Sequence, residues 1–284
     1  MIDTSFLNQL DRFSLIVNKR ITSNYVGERK SVFTGRGTTF KDHRIYAPGD
    51  DIRTVDWRVY ARTDDLYVKR YEEERNLSVH IIIDGSASMN FGTPATKYDY
   101  AAMLGLGFAY LAMKSNEKFQ FASFSNKLDM IKPKRGMRQL ASMLAHLNST
   151  KPQGITNFYD AVLQYRKAIN TRSFIVIISD FLFDAATIEK ALYLLGSNHD
   201  IKLIQVLDRV ERDMKLEGDL RLKDSESNAL LRTYISPRLR NDYQNLLDTH
   251  TVKINSICSR LGVEFYTTTT DTPLFDVFFD VLKE

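Results

Sequence analysis

Asp84-Gly85-Ser86-Ala87-Ser88 places one carboxylate and two hydroxyls at alternate positions of a single loop. Groups spaced this way can turn toward one centre, and all three donors are hard oxygens. That chemistry suits Mg2+, Mn2+ or Ca2+ and not a soft metal. One carboxylate carries too little charge to hold a divalent ion tightly, so a second has to come from elsewhere. Asp180 is the natural choice. It ends FIVIISD (174–180), the other most apolar run, as Asp84 ends LSVHIIID (77–84). Asp208 closes a third run, IKLIQVLD (201–208), and reads as structural. An Asp or Ser after a strand commonly caps the next helix, and capping is the plain alternative for the Asp84 loop as well.

Other chemistries lack parts. A metal-dependent phosphohydrolase with Asp84 as nucleophile and Asp180 on Mg2+ is the chief enzymatic rival. Haloacid-dehalogenase-like enzymes need a second Asp two residues on, and Ser86 stands there. There is no G-x-x-x-x-G-K-[ST] phosphate loop and no G-x-S-x-G around Ser86. Gly35-Arg36-Gly37-Thr38-Thr39-Phe40 has Phe where a third Gly would sit. The histidines at 43, 80, 146, 199 and 250 show no H-E-x-x-H spacing. Cys258 falls on a helical apolar pattern with Ile254, Ile257 and Leu261 and reads as core.

The elements that must position these groups follow from the apolar pattern. Strands are expected at 77–84, 119–125, 127–133, 174–180, 201–208 and 263–269. Helices are expected at 98–114, 139–147, 159–169, 185–195, 238–261 and 274–282. Near-continuous apolar strands alternating with helices mean a mostly parallel, doubly wound α/β sheet covered on both faces. Ligands of such sheets sit at the carboxyl ends of the strands. Gly105 and Gly107 would let the helix at 98–114 lie close to the sheet. Residues 216–235 read as a polar hairpin inserted before the long helix. Upstream, 3–25 has the spacing of an amphipathic helix, and 31–75 reads as short strands and ordered loops. The expected division is 1–76 and 77–284. The smaller part is expected to pack on the larger, with Trp57 buried as its anchor. Its carboxylates Asp50, Asp51 and Asp56 are expected to pair with the interleaved arginines.

The chain has 284 residues, enough for one large domain with a small companion. The excess of 39 basic over 35 acidic residues gives +4, too little for the concentrated basic face that nucleic acid needs. A single cysteine forbids an intrachain disulfide and fits a reducing compartment. The acidic start MIDTSFLNQLDRF is unlike a signal peptide. YAAMLGLGFAYLAM (100–113) falls short of the ~20 residues that span a bilayer. A cytoplasmic protein with no transmembrane segment is expected.

Asp84-x-Ser86-x-Ser88, then Gly154-Ile155-Thr156-Asn157, then Ser179-Asp180 resembles the complete metal-ion-dependent adhesion site (MIDAS) of von Willebrand factor A domains. The resemblance implies a Rossmann-like fold of that type. It implies that Ser86 and Ser88 bind the metal directly, Thr156 directly or through water, and Asp84 and Asp180 largely through water or through hydrogen bonds to the ligands. Upstream, Arg44-Ile45-Tyr46, Pro48-Gly49-Asp50-Asp51-Ile52-Arg53, Val55-Asp56-Trp57, Ala61-Arg62-Thr63 and Val68-Lys69-Arg70 resemble the signature of domain of unknown function (DUF) family 58. Members of that family carry a von Willebrand A-like domain just after it. They are similar to proteins encoded beside MoxR-type AAA+ ATPases. The resemblance covers roughly residues 30–284. It implies a non-enzymatic, metal-dependent protein-binding module, with such an ATPase or its client as partner. A scaffold that no longer uses the metal is the third reading.

Overall fold

The structure is a computed structural model. It describes residues 39–72, 78–214, 216, 218–225 and 229–282. The amphipathic helix expected at 3–25 and the Gly35–Gly37 segment lie outside the described residues. The described residues divide into two compact units, 39–72 in one and 78–282 in the other.

The smaller unit pairs β1 (Thr39–Ile45) with β2 (Tyr67–Glu72) antiparallel. Between them runs a helix that the pattern did not suggest, α1 (Trp57–Thr63). Asp56 caps it, accepting hydrogen bonds from the N–H groups of Arg58 (3.0 Å) and Val59 (3.4 Å). The carboxylates of this unit do not pair chiefly with arginine. Arg44 binds Asp50 at 2.6 Å. Asp56, however, meets His43 at 2.9 Å and Lys69 at 3.4 Å. Asp51 accepts from the Arg53 N–H at the start of a short 3-10 turn. Within this unit Trp57 stands edge-on to Tyr60, one helical turn away.

The larger unit begins with β3 (Ser78–Asp84), followed by α2 (Lys97–Lys114), β4 (Lys118–Phe124) and β5 (Leu128–Lys134). Next come α3 (Met137–Ser149), α4 (Phe158–Tyr165), β6 (Ser173–Ser179), α5 (Ala185–Leu195) and β7 (Asp200–Leu207). A short α6 (Arg209–Asp213) leads to the hairpin β8 (Gly218–Lys223) and β9 (Leu230–Ile235). The chain then runs through α7 (Pro237–Leu261), β10 (Glu264–Thr269) and α8 (Leu274–Leu282).

Six strands make one sheet in the order β10-β7-β6-β3-β4-β5. All pairings are parallel except β4 with β5, which returns antiparallel along the edge. This is the doubly wound, mostly parallel sheet that the alternation of runs predicts. The hairpin stays outside it as a separate two-stranded sheet.

Side chains alternate along each strand, so the two faces build two cores. Ile81, Ile83, Phe121, Val176, Ile178, Ile204 and Val206 face α2, α3 and α8. Ile82, Ala122, Phe124, Ile175, Ile177 and Leu203 face α4, α5 and α7. Full burial of each such side chain contributes roughly 1.5–3 kcal/mol. Gly105 lies on the sheet as expected: a Cβ there would come within 2.6 Å of Ile83. Gly107 does not face the sheet. Its added Cβ would meet the Phe278 ring of α8 at 2.0 Å. No helix among the described residues is long and apolar enough to cross a membrane.

Candidate metal centre

β3 and β6 are neighbours in register, Ile83 opposite Ile178, so Asp84 stands beside Ser179 at the carboxyl edge of the sheet. Asp84 is fully buried. One of its oxygens accepts from the Ser86 N–H at 2.9 Å and the other from the Ser179 hydroxyl at 2.6 Å. Burial first, and the charge of Asp180 second, push its carboxyl up to about 7, against the pull of these hydrogen bonds.

Ser86 discriminates between the capping reading and the ligand reading. It occupies the N-cap position of the 3-10 turn Ala87–Asn90, yet its side chain makes no capping bond. Its hydroxyl instead meets the Ser88 hydroxyl at 3.0 Å. A cap would have spent this oxygen on the backbone. Here two hydroxyls are drawn together beside a buried carboxylate.

The loop carrying Thr156 is tied to the same place. Gln153 N–H donates to Gly85 C=O (2.9 Å), and Ala87 N–H donates to Gly154 C=O (3.0 Å). Gly154 has φ +86° and packs on Asn126, whose side-chain oxygen accepts from the Ile155 N–H at 2.8 Å. A side chain at 154 would be strained and would strike the Asn126 amide. Thr156 itself is half-buried, two residues past this clamp.

Asp180 follows β6 and is 2% exposed. Its carbonyl accepts from Gln205 at 2.8 Å, and the next residue, Phe181, takes φ 48° with its carbonyl on His250 at 2.7 Å. Its carboxylate has a partner that sequence reasoning missed. Lys97, the first residue of α2, is fully buried and donates to Asp180 at 2.9 Å and to Glu211 of α6 at 2.8 Å. The attraction of these two carboxylates raises the Lys97 pKa in spite of burial, which acts the other way. Burial also raises the Glu211 pKa. The only sequence signal was a lysine just ahead of the helix expected at 98–114. Asp208 is structural, as expected: it caps α6 through the Val210 N–H (2.8 Å) and accepts from the Thr270 hydroxyl (3.0 Å).

Among the described residues no three His, Cys, Asp or Glu side chains come together as a metal cluster. The candidate donors are the hydroxyls of Ser86, Ser88 and Thr156 and the carboxylates of Asp84 and Asp180, the last already paired to an ammonium. Such a set fits a hard, oxygen-seeking divalent ion that keeps water in its shell.

A doubly wound α/β domain with a hydroxyl and carboxylate loop at the carboxyl edge of its sheet defines the class. The chain belongs to the family described as Protein of unknown function DUF58, whose match spans residues 42–253. It is 27% identical over 275 residues to the Mycobacterium tuberculosis protein Rv1480, covering 95% of this chain and 86% of that protein. Among solved structures it is similar to BatB from Bacteroides thetaiotaomicron, with 12% identity and TM-score 0.45, covering 72% of this chain and 96% of that one. It is also similar to a von Willebrand factor type A protein from Catenulispora acidiphila, with 12% identity and TM-score 0.46, covering 76% and 43% of the two chains.

Proposed function

We propose that this protein is a non-enzymatic binding module that captures an acidic residue of another protein through a divalent metal, Mg2+ or else Mn2+ or Ca2+. Ser86, Ser88 and Thr156 offer hydroxyl oxygens, and Asp84 and Asp180 supply the negative charge around them. The observation that carries the reading is the Ser86 hydroxyl, turned from its capping position toward Ser88 beside buried Asp84. The metal would supply a strong positive centre with a position filled only by water. An incoming Asp or Glu could take that position in a short, charge-assisted contact. Both Asp84 oxygens are engaged by Ser86 and Ser179, which suits an organising carboxylate better than an aspartyl nucleophile.

The partner we propose is a MoxR-type AAA+ ATPase or its client, and the setting the cytoplasm. Immobilised wild-type protein should capture that ATPase in Mg2+, lose it in chelator and regain it when Mg2+ returns. Asp84→Ala and Ser86→Ala should abolish capture with the fold intact by circular dichroism. Undiminished capture by Asp84→Ala in chelator would return the domain to a scaffold role.

A further inference from the structure

Lys97 has no part in the ligand set, yet among the described residues it is the most deeply buried cation, and it lies against that set. Its side chain is fully buried on a helix whose other inward positions, from Ala101 and Leu104 to Phe108, are apolar. Taking an ammonium out of water is costly, and an apolar residue of similar volume would serve packing better. Its two contacts are both carboxylates, Asp180 at 2.9 Å and Glu211 at 2.8 Å. Lys97 therefore already occupies an oxygen of Asp180, the carboxylate that a metal at Ser86 and Ser88 would otherwise draw on undivided.

We propose that Lys97 is a positioning residue, a resident cation that holds Asp180 and keeps the metal site at low intrinsic affinity. This rests on the metal-binding reading above. With all four groups ionised, Lys97, Asp180 and Glu211 sum to −1, and Asp84 adds one more negative charge. Glu211 decides how much of the ammonium's field falls on Asp180. It shares Lys97 with Asp180, so removing its charge concentrates the ammonium on Asp180. Removing both Lys97 and Glu211 charges leaves the trio at −1 but moves all of it onto Asp180. Like charges repel and opposite charges attract over these short, poorly screened distances. The two changes should therefore move metal affinity in opposite directions.

The test is calorimetric titration of the full chain with MgCl2, with circular dichroism melts to establish folding. Glu211→Gln should weaken Mg2+ binding about tenfold. Lys97→Gln combined with Glu211→Gln should tighten it about tenfold relative to wild type, at unchanged net charge. Lys97→Met with Glu211→Gln serves in its place if the amide pair does not fold. A purely structural ion pair would make both variants weaker or leave both unchanged, and either result overturns the assignment. Mg2+ binding to wild type with no such split sinks the Lys97 role alone. Absence of Mg2+ binding to all three proteins sinks the metal reading and this inference with it.

Discussion

Asp84 illustrates a site held at the expense of stability. Its carboxylate is fully buried and hydrogen-bonded, with a second carboxylate close by. An uncompensated buried charge destabilises the folded state. Asp84→Asn should therefore stabilise the metal-free protein at pH 8, by about 1–3 kcal/mol, while removing metal-dependent capture. Urea unfolding in chelator checks the first half, and a loss of stability would contradict it. His80 gives a dependence on pH of known sign. It is a buried residue of β3, with its ring on the Tyr165 hydroxyl at 2.8 Å. Burial, helped by the charge of His199, lowers its pKa to about 4, against 6.5 when exposed. Between those values the unfolded chain binds the extra proton, so stability falls as pH drops from 6.5 toward 4 and is fully present above 6.5. The contribution at stake is up to about 3 kcal/mol. Comparing His80→Gln with wild type across this window should show the wild-type advantage shrinking with acidity. A constant difference would refute the assignment. Asp84, Ser86, Ser88 and Asp180 were legible because each sits in a local motif at the end of an apolar run. The Lys97 contacts were not, because they join residues 83 and 114 positions apart, and no local pattern encodes such a meeting.

The elements of the large unit were legible wherever burial is two-sided. β3, β6 and β7 are almost wholly buried, so their apolar runs stand out against any background. Helix α5 matches its expected span of 185–195, because an Asp cap and a following glycine bound it. Helix α1 escaped the reading although its Asp56 cap was in plain view: seven residues are too few to show a period. The partner of Gly107 was also hidden, since i to i+2 spacing turns Gly105 and Gly107 to different sides of one helix. Gly107 admits the Phe278 ring, whose nearest atom would lie 2.0 Å from an added Cβ. Gly107→Ala should thus cost about 1–3 kcal/mol through forced repacking, despite alanine's better helix propensity. Gly105→Ala meets the flexible tip of Ile83 and should cost less. Thermal melts of the two variants decide this, and a stabilised Gly107→Ala would show that α8 yields freely.

At the scale of the whole molecule, alternation of runs announces a doubly wound sheet but leaves its strand order open. The order comes from crossover handedness and from which helices fit which face. One outcome of that order is that β5, which among the described residues pairs only with β4, forms a border of the sheet. A sheet border is a template for unwanted stacking of further chains, and proteins blunt it with lysine, proline and bulges. β5 carries all three. Lys132, Pro133 and Lys134 are exposed, and the register with β4 slips between Phe119 and Phe121. These are the features that discourage pairing with a further strand. Lys132→Val with Pro133→Val should leave the melting temperature nearly unchanged yet raise light scattering during concentrated storage. A double variant as clear in solution as the wild type would mean that the border is protected by other means.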